Sequence, residues 1–153
     1  MPAEALKSFL DEQGVAYSVV PHAQTFTAQR TAQATHIKGR EMAKVLVVKV
    51  DGTMCLCVIP APEHLDLEKV QAAAGAGEVI LATEAEFEGQ FPGCETGAMP
   101  PFGNLYGMSV FVDSLLTRDE HIAFNAGTHS ECIMMSYADF TNVVNPVTAD
   151  LVA

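Results

Sequence analysis

Two hydrophobic periods alternate along the chain, and the switches between them mark out its elements. Ala5, Leu6, Phe9 and Leu10 recur at helical spacing and Gly14 follows as a stop, so residues 4–14 read as an amphipathic helix. Residues 15–20 alternate as a short strand closed by Pro21-His22, and the Ala/Gln/Thr-rich residues 25–35 give a second helix. Residues 42–50 form the clearest strand, β-branched and almost continuously apolar, the pattern of a strand covered on both faces. Asp51-Gly52 is a strong hairpin signal, and residues 53–60 return as its partner. Residues 64–74 carry Leu65, Leu67, Val70 and Ala74 at helical intervals, with Asp66 as N-cap. A strand over 78–81 precedes Thr83-Glu84-Ala85-Glu86, a capping box that opens a short helix. Beyond residue 108 the pattern predicts strands at 109–113, 121–125 and 131–135, polar turns at 114–120 and 126–130, and a last helix from Ser136 to about residue 144 with a short tail after Asn145-Pro146. Helices and strands mixed in this order make an α+β chain with one central sheet, antiparallel or mixed, in a single domain spanning residues 1–153.

Residues 93–104, Gly-Cys-Glu-Thr-Gly-Ala-Met-Pro-Pro-Phe-Gly-Asn, break both periods. Three glycines and two consecutive prolines exclude a helix and make a poor strand. A stiff loop of this kind is either a surface connection or a nest whose Gly97, Ala98 and Met99 amides converge on an anion or a developing oxyanion.

Composition narrows the possibilities. Eight Lys and Arg stand against nineteen Asp and Glu, a net charge of −11, which argues against a general nucleic-acid coat protein but leaves room for a local basic patch gripping one RNA end. Lys38, Arg40, Lys44 and Lys49 are the candidates for such a patch. No apolar run is long enough for a membrane span and no basic leader opens the chain, so a cytoplasmic protein without a membrane partner is expected. Cys55, Cys57 and Cys132 lie in apolar strand-like runs and read as buried thiols, whereas Cys94, in the Gly/Pro loop, is a weak nucleophile candidate.

The standard catalytic signatures are missing: there is no P-loop, GxGxxG after a strand, HExxH, GxSxG or CxxC, and the five histidines are too scattered for a metal site. Three features remain: Lys44 at the start of the long strand, the 97–101 loop, and the turn Asn125-Ala126-Gly127-Thr128-His129. Together with residues 39–47, 96–103, 110–113 and 124–127, in this order and spacing, they resemble the YbaK/prolyl-tRNA editing domains, and the likeness runs from the first helix to Phe140.

The resemblance implies an aminoacyl-tRNA deacylase of the YbaK/prolyl-tRNA-synthetase-associated fold: α+β, with a mixed, mostly antiparallel, barrel-like sheet flanked by helices. It implies hydrolysis of the ester between a wrong amino acid and the tRNA 3′ end, with alanine or cysteine on the proline tRNA as expected substrate, no cofactor and no metal. The partners it implies are the mischarged tRNA and a synthetase, not DNA. By the same resemblance Lys44 holds the terminal nucleotide and its phosphate, while Gly97, Ala98 and Met99 present amides to the carbonyl. Pro101, Phe102, Asn125, Gly127 and His129 surround the aminoacyl group, and His22 has a structural role. The terminal ribose hydroxyl helps activate water, so no side-chain nucleophile is required. The loop lacks the serine of many relatives and adds Met99 and Phe102, which are expected to set pocket size. Two other readings stay open on sequence alone: a non-catalytic module binding a nucleotide or protein in the same cleft, and hydrolysis of another small ester.

Overall fold

In the computed structural model, which describes residues 4–22, 37–38, 40–95 and 97–153, the long apolar strand is the middle of the architecture. β2 (Ala43–Val50) and β3 (Thr53–Pro60) pair antiparallel from Ala43↔Pro60 to Val50↔Thr53. Asp51 and Gly52 both take positive φ, 48° and 86°, the requirement of a two-residue hairpin whose twist matches its strands. The Asp51 carboxylate also accepts from the Gly77 and Glu78 amides, tying the hairpin tip to β4 (Val79–Leu81).

The full order is α1 (Glu4–Glu12), β1 (Tyr17–Pro21), β2, β3, α2 (Leu67–Ala74), β4, α3 (Glu84–Phe87), β5 (Ser109–Asp113), β6 (His121–Thr128), β7 (Glu131–Ser136), α4 (Tyr137–Val144) and β8 (Val147–Ala149). Five strands lie in the order β4-β2-β3-β5-β8 and three in the order β1-β7-β6. A parallel bridge between Met42 and Ala123 links β6 to the start of β2. The result is α+β with a mixed sheet, as expected, but neither sheet closes on itself, so the barrel-like expectation is not met. Pairing is parallel at β3–β5 and β5–β8.

Local capping chemistry is where the sequence places it. Asp66 accepts from the Glu68 and Lys69 amides, Thr83 and Glu86 complete a reciprocal capping box, and Ser136 accepts from the Asp139 amide. Three expectations change. The tail after Pro146 forms β8, and buried Asp113 pins the chain just beyond that strand by accepting from the Leu151 amide at 2.8 Å. The polar segment after Asp113 is a 3-10 turn over Ser114–Arg118, and β6 runs on to Thr128 through an irregularity after Asn125. The helix expected over residues 25–35 lies outside the described residues.

Side-chain alternation divides β2 between two cores. Ala43, Val45 and Val47 join the larger one, built with α1, α4, Met99 and Phe102. Leu46, Val48 and Val50 face the opposite side, packing with Cys55, Cys57, Ile59 and α2. Cys55 and Cys57 thus share one face, as their one-residue gap predicts. All four cysteines are free.

Candidate active site

The Gly/Pro loop is stitched to the end of β6. Glu95 N–H donates to the Gly127 carbonyl at 2.8 Å, and Gly127 N–H donates to the Ala98 carbonyl at 2.9 Å. The Glu95 carboxylate accepts from the His129 amide at 3.1 Å, fixing the following turn against the loop. Gly97 is held at φ 87°, and a Cβ there would lie 3.5 Å from the His129 ring. That left-handed conformation makes glycine the fitting residue at 97, with the imidazole at van der Waals distance behind it. Gly97, Ala98, Gly127 and His129, far apart in sequence, therefore form one unit. Glu95 joins them and was not singled out by the sequence, since nothing local distinguishes a carboxylate that reaches over to another turn.

The amides of this unit differ in what they do. Ala98 N–H closes a turn on the Glu95 carbonyl at 3.0 Å, and Ala98 is completely buried. It is therefore not one of three amides aimed into a common concavity, as the sequence suggested: the tight turn consumes it. Gly97 N–H points at the Met99 thioether at 3.2 Å. Thioether sulfur is a weak acceptor, so this donor is held in place yet easily given up to an oxygen.

The loop's apolar side chains also sit differently. Phe102 is fully buried among Phe9, Phe124 and Phe140 at centroid distances of 6.2, 5.3 and 5.6 Å. It belongs to the core behind the loop and not to a pocket wall, and its truncation to alanine costs about 3–5 kcal/mol of stability. Met99, Pro100 and Pro101 are buried as well. Gly103 locks the loop's exit, because a Cβ there would meet the Met108 carbonyl oxygen at 2.4 Å.

Lys44 and Asn125 occupy matching positions beyond the same bridge. Met42 and Ala123 are bridged in parallel and both are buried in one small cluster with Cys132. Two residues further along each strand, on that same face, stand Lys44 and Asn125, and Asn125 pairs with Cys132 of that cluster across β7. Asn125 Oδ1 is buried and accepts no hydrogen bond among the described residues. A buried amide oxygen without a donor costs roughly 1–3 kcal/mol, a standing penalty that a ligand's N–H or O–H relieves. Burial pulls the Lys44 ammonium below the ordinary lysine range, with the Glu63 carboxylate only partly offsetting it. Lys49, grouped with Lys44 in the expected basic patch, is elsewhere: five residues on, it lies on the other face of β2 and forms an ion pair with Glu86.

No activated thiol supports nucleophilic catalysis. Burial pushes the Cys94 thiol up, although the Tyr106 hydroxyl 3.3 Å away opposes this. Burial holds Cys57 near 12 and Cys132 near 11. Among the described residues no three His, Cys, Asp or Glu side chains cluster as metal ligands, and no helix is long and apolar enough to cross a membrane.

The loop is thus joined to the end of β6, Lys44 and Asn125 lie on the face of β2 and β6 that carries Met42 and Ala123, and no activated side-chain nucleophile accompanies them among the described residues. Residues 22–143 match the family described as the aminoacyl-tRNA editing domain. The chain belongs to that family. It is accordingly a hydrolase that edits aminoacyl-tRNA. Its relatives include the multifunctional Ser/Thr-tRNA deacylase ProXp-y of Escherichia coli K12, 28% identical over 148 residues that cover 94% of this chain and 88% of the relative. Among solved structures, one described as a candidate trans-editing enzyme for prolyl tRNA synthetase superposes with a TM-score of 0.87 at 23% identity, covering 99% of this chain and 97% of the other. A hypothetical protein superposes with a TM-score of 0.88 at 21% identity, covering 98% and 100%. At these identities the two structures establish the fold.

Proposed function

We propose that this editing domain acts in trans on tRNA mischarged with a small amino acid, serine or threonine first, and releases it by direct water attack. The observation that carries the reading is the buried Asn125 Oδ1, without a donor among the described residues, on the face that β6 shares with Lys44 of β2 and two residues before the Gly127 that the loop grips. The Ser/Thr activity of the ProXp-y relative favours a hydroxylated aminoacyl group. An acceptor such as Asn125 Oδ1 would accept a hydrogen bond from its hydroxyl. Alanine and cysteine, which the sequence pointed to, present no comparable donor and are the competing substrates.

In this reading the Lys44 ammonium holds the terminal nucleotide through its phosphate. Gly97 N–H turns from the Met99 sulfur to the ester carbonyl oxygen, where negative charge grows as the carbon becomes tetrahedral. The Pro100-Pro101 segment keeps the loop backbone from relaxing, so the only adjustment needed is the exchange of a weak sulfur acceptor for the carbonyl oxygen. Water adds to the carbonyl carbon and passes its proton, through the neighbouring hydroxyl of the terminal ribose, to the departing ribose oxygen. The C–O ester bond breaks, leaving free amino acid and uncharged tRNA. Gly127 and His129 hold the loop in this shape, with Glu95 as the strut between them.

The test is a deacylation panel on Ser-, Thr-, Ala- and Cys-charged tRNA. Serine and threonine esters are expected to turn over fastest, and Asn125→Ala should lower their rates toward those of alanine and cysteine, by roughly tenfold for one hydrogen bond removed. Preferential hydrolysis of Ala- or Cys-tRNA would overturn the specificity, and no turnover of any ester would overturn the whole reading.

A further inference from the structure

A −11 chain that edits tRNA must meet a polyanion, and the placement of its few cations shows where. The described residues hold seven Lys and Arg. Three are committed to ion pairs away from the site: Lys7 with Glu131, Lys49 with Glu86 and Lys69 with Asp150. The other four gather in one region. Arg40 and Arg118 line the same cleft, whose volume is about 340 Å³, within the range of about 300 to 1,000 Å³ of ligand-holding clefts. Lys38 is two residues from Arg40, its carbonyl accepting from the Met42 amide. Lys44 feels the charge of Glu63, another residue of the cleft wall, and its neighbour Ala43 pairs with Pro60 on the cleft floor.

The cleft sets two arginines and apolar side chains beside the Glu63 and Asp119 carboxylates. Pro60, Pro62 and Leu115 supply flat apolar surface, with guanidinium groups beside it. Arg40 is steadied by Asp119 at 3.3 Å through its Nε, although its side chain is 66% exposed, so its terminal nitrogens stay available for an anion. Arg118 forms no ion pair among the described residues. A compact group of cations on an otherwise acidic surface draws an anionic strand to one place and repels it from the rest.

We propose that this cleft binds the single-stranded nucleotide preceding the terminal one, with Arg40 and Arg118 on its phosphates and the base against Pro60, Pro62 and Leu115, so that the strand runs on past Lys44 to the ester. The inference rests on the tRNA reading above and adds the path of the strand to it.

Arg118→Gln and Arg40→Gln are compared with Lys69→Gln on two substrates: seryl-tRNA, and seryl-adenosine, which carries no upstream phosphate. Each arginine variant should raise KM for seryl-tRNA about tenfold with kcat unchanged, and lower the salt slope of log kcat/KM by about 0.7 for each phosphate no longer neutralised. Seryl-adenosine should be hydrolysed by both as by wild type, and Lys69→Gln should match wild type throughout. Equal loss on both substrates, or unchanged KM for seryl-tRNA in Arg118→Gln, overturns the proposal. Arg118→Gln breaks no ion pair, so misfolding does not confuse the result. Should wild type hydrolyse neither substrate, the functional reading fails by itself. Fluorescence anisotropy with a labelled uncharged RNA ending in CCA still decides the cleft: weaker binding by both arginine variants supports it, and unaltered binding overturns it.

Discussion

Lys44 and Lys49 sit five residues apart on one strand, yet their surroundings are opposites. An odd separation on a period-two element puts them on different faces. Lys49 meets Glu86 directly, and that contact, with backbone donation from Thr83, holds the Glu86 carboxyl down at about 2. The charges satisfy each other. Lys44 has no ion pair among the described residues within contact distance, is partly desolvated, and shares its face with an amide oxygen that lacks a donor. Folding alone gives no reason for Lys44 and Asn125 to stay polar, whereas a ligand bringing an anion and a donor would satisfy both. On the proposed reading the same side chain is structural at one end of β2 and functional at the other, and the difference lies in what it leaves unsatisfied.

The largest effect that would sharpen this contrast is at the loop. Gly97→Ala forces a side chain into a left-handed conformation, which strains the loop and displaces the amide proposed to face the carbonyl. Loss of one such donor typically costs about 100- to 1,000-fold in rate. Deacylation kinetics with a thermal melt would show a slow but folded enzyme, and a variant at full rate would remove the loop from the chemistry.

Next comes Lys44→Met, which keeps the stem and removes the charge. Because the folded lysine titrates below its unfolded value, the native state binds fewer protons than the unfolded state between those two pH values, and stability rises with pH across that window. Below it, the charged lysine lowers stability, so Lys44→Met should be at least as stable as wild type at neutral pH while losing activity roughly 10- to 150-fold, the worth of a charge-assisted hydrogen bond. Wild-type activity should fall as pH rises through a value under the ordinary lysine range. A methionine variant that is both inactive and clearly less stable would make Lys44 structural, like Lys49.

A smaller effect is expected at the acid end. The stability contributed by Glu86 is present above its unfolded pKa near 4.5 and is lost as pH falls toward about 2. Lys49→Met should weaken that acid-limb dependence in pH-dependent unfolding, the Thr83 donors keeping the remainder, and leave deacylation at neutral pH untouched. A changed rate would blur the contrast between the two lysines.

What could be read in advance was what short-range chemistry decides. The Asp51-Gly52 turn, the Asp66 cap and the Thr83–Glu86 box involve residues at most three apart, and all form as written. Long-range pairing was not legible. β8 forms because β5 offers an edge to Val147, Thr148 and Ala149, a fact absent from the tail's own composition. Ala98 and Phe102 were grouped with the site because they share its loop, but the turn on Glu95 consumes the first residue's amide and the aromatic core takes the second's side chain. Lys49 was placed with Lys44 by proximity in sequence, although the strand period already separates them.

The most direct test of a functional Lys44 beside a structural Lys49 is kcat/KM for seryl-tRNA deacylation by Lys44→Ala and Lys49→Ala, measured side by side. A fall of roughly 10- to 150-fold is predicted for Lys44→Ala and a wild-type value for Lys49→Ala. Equal values for the two variants would contradict it.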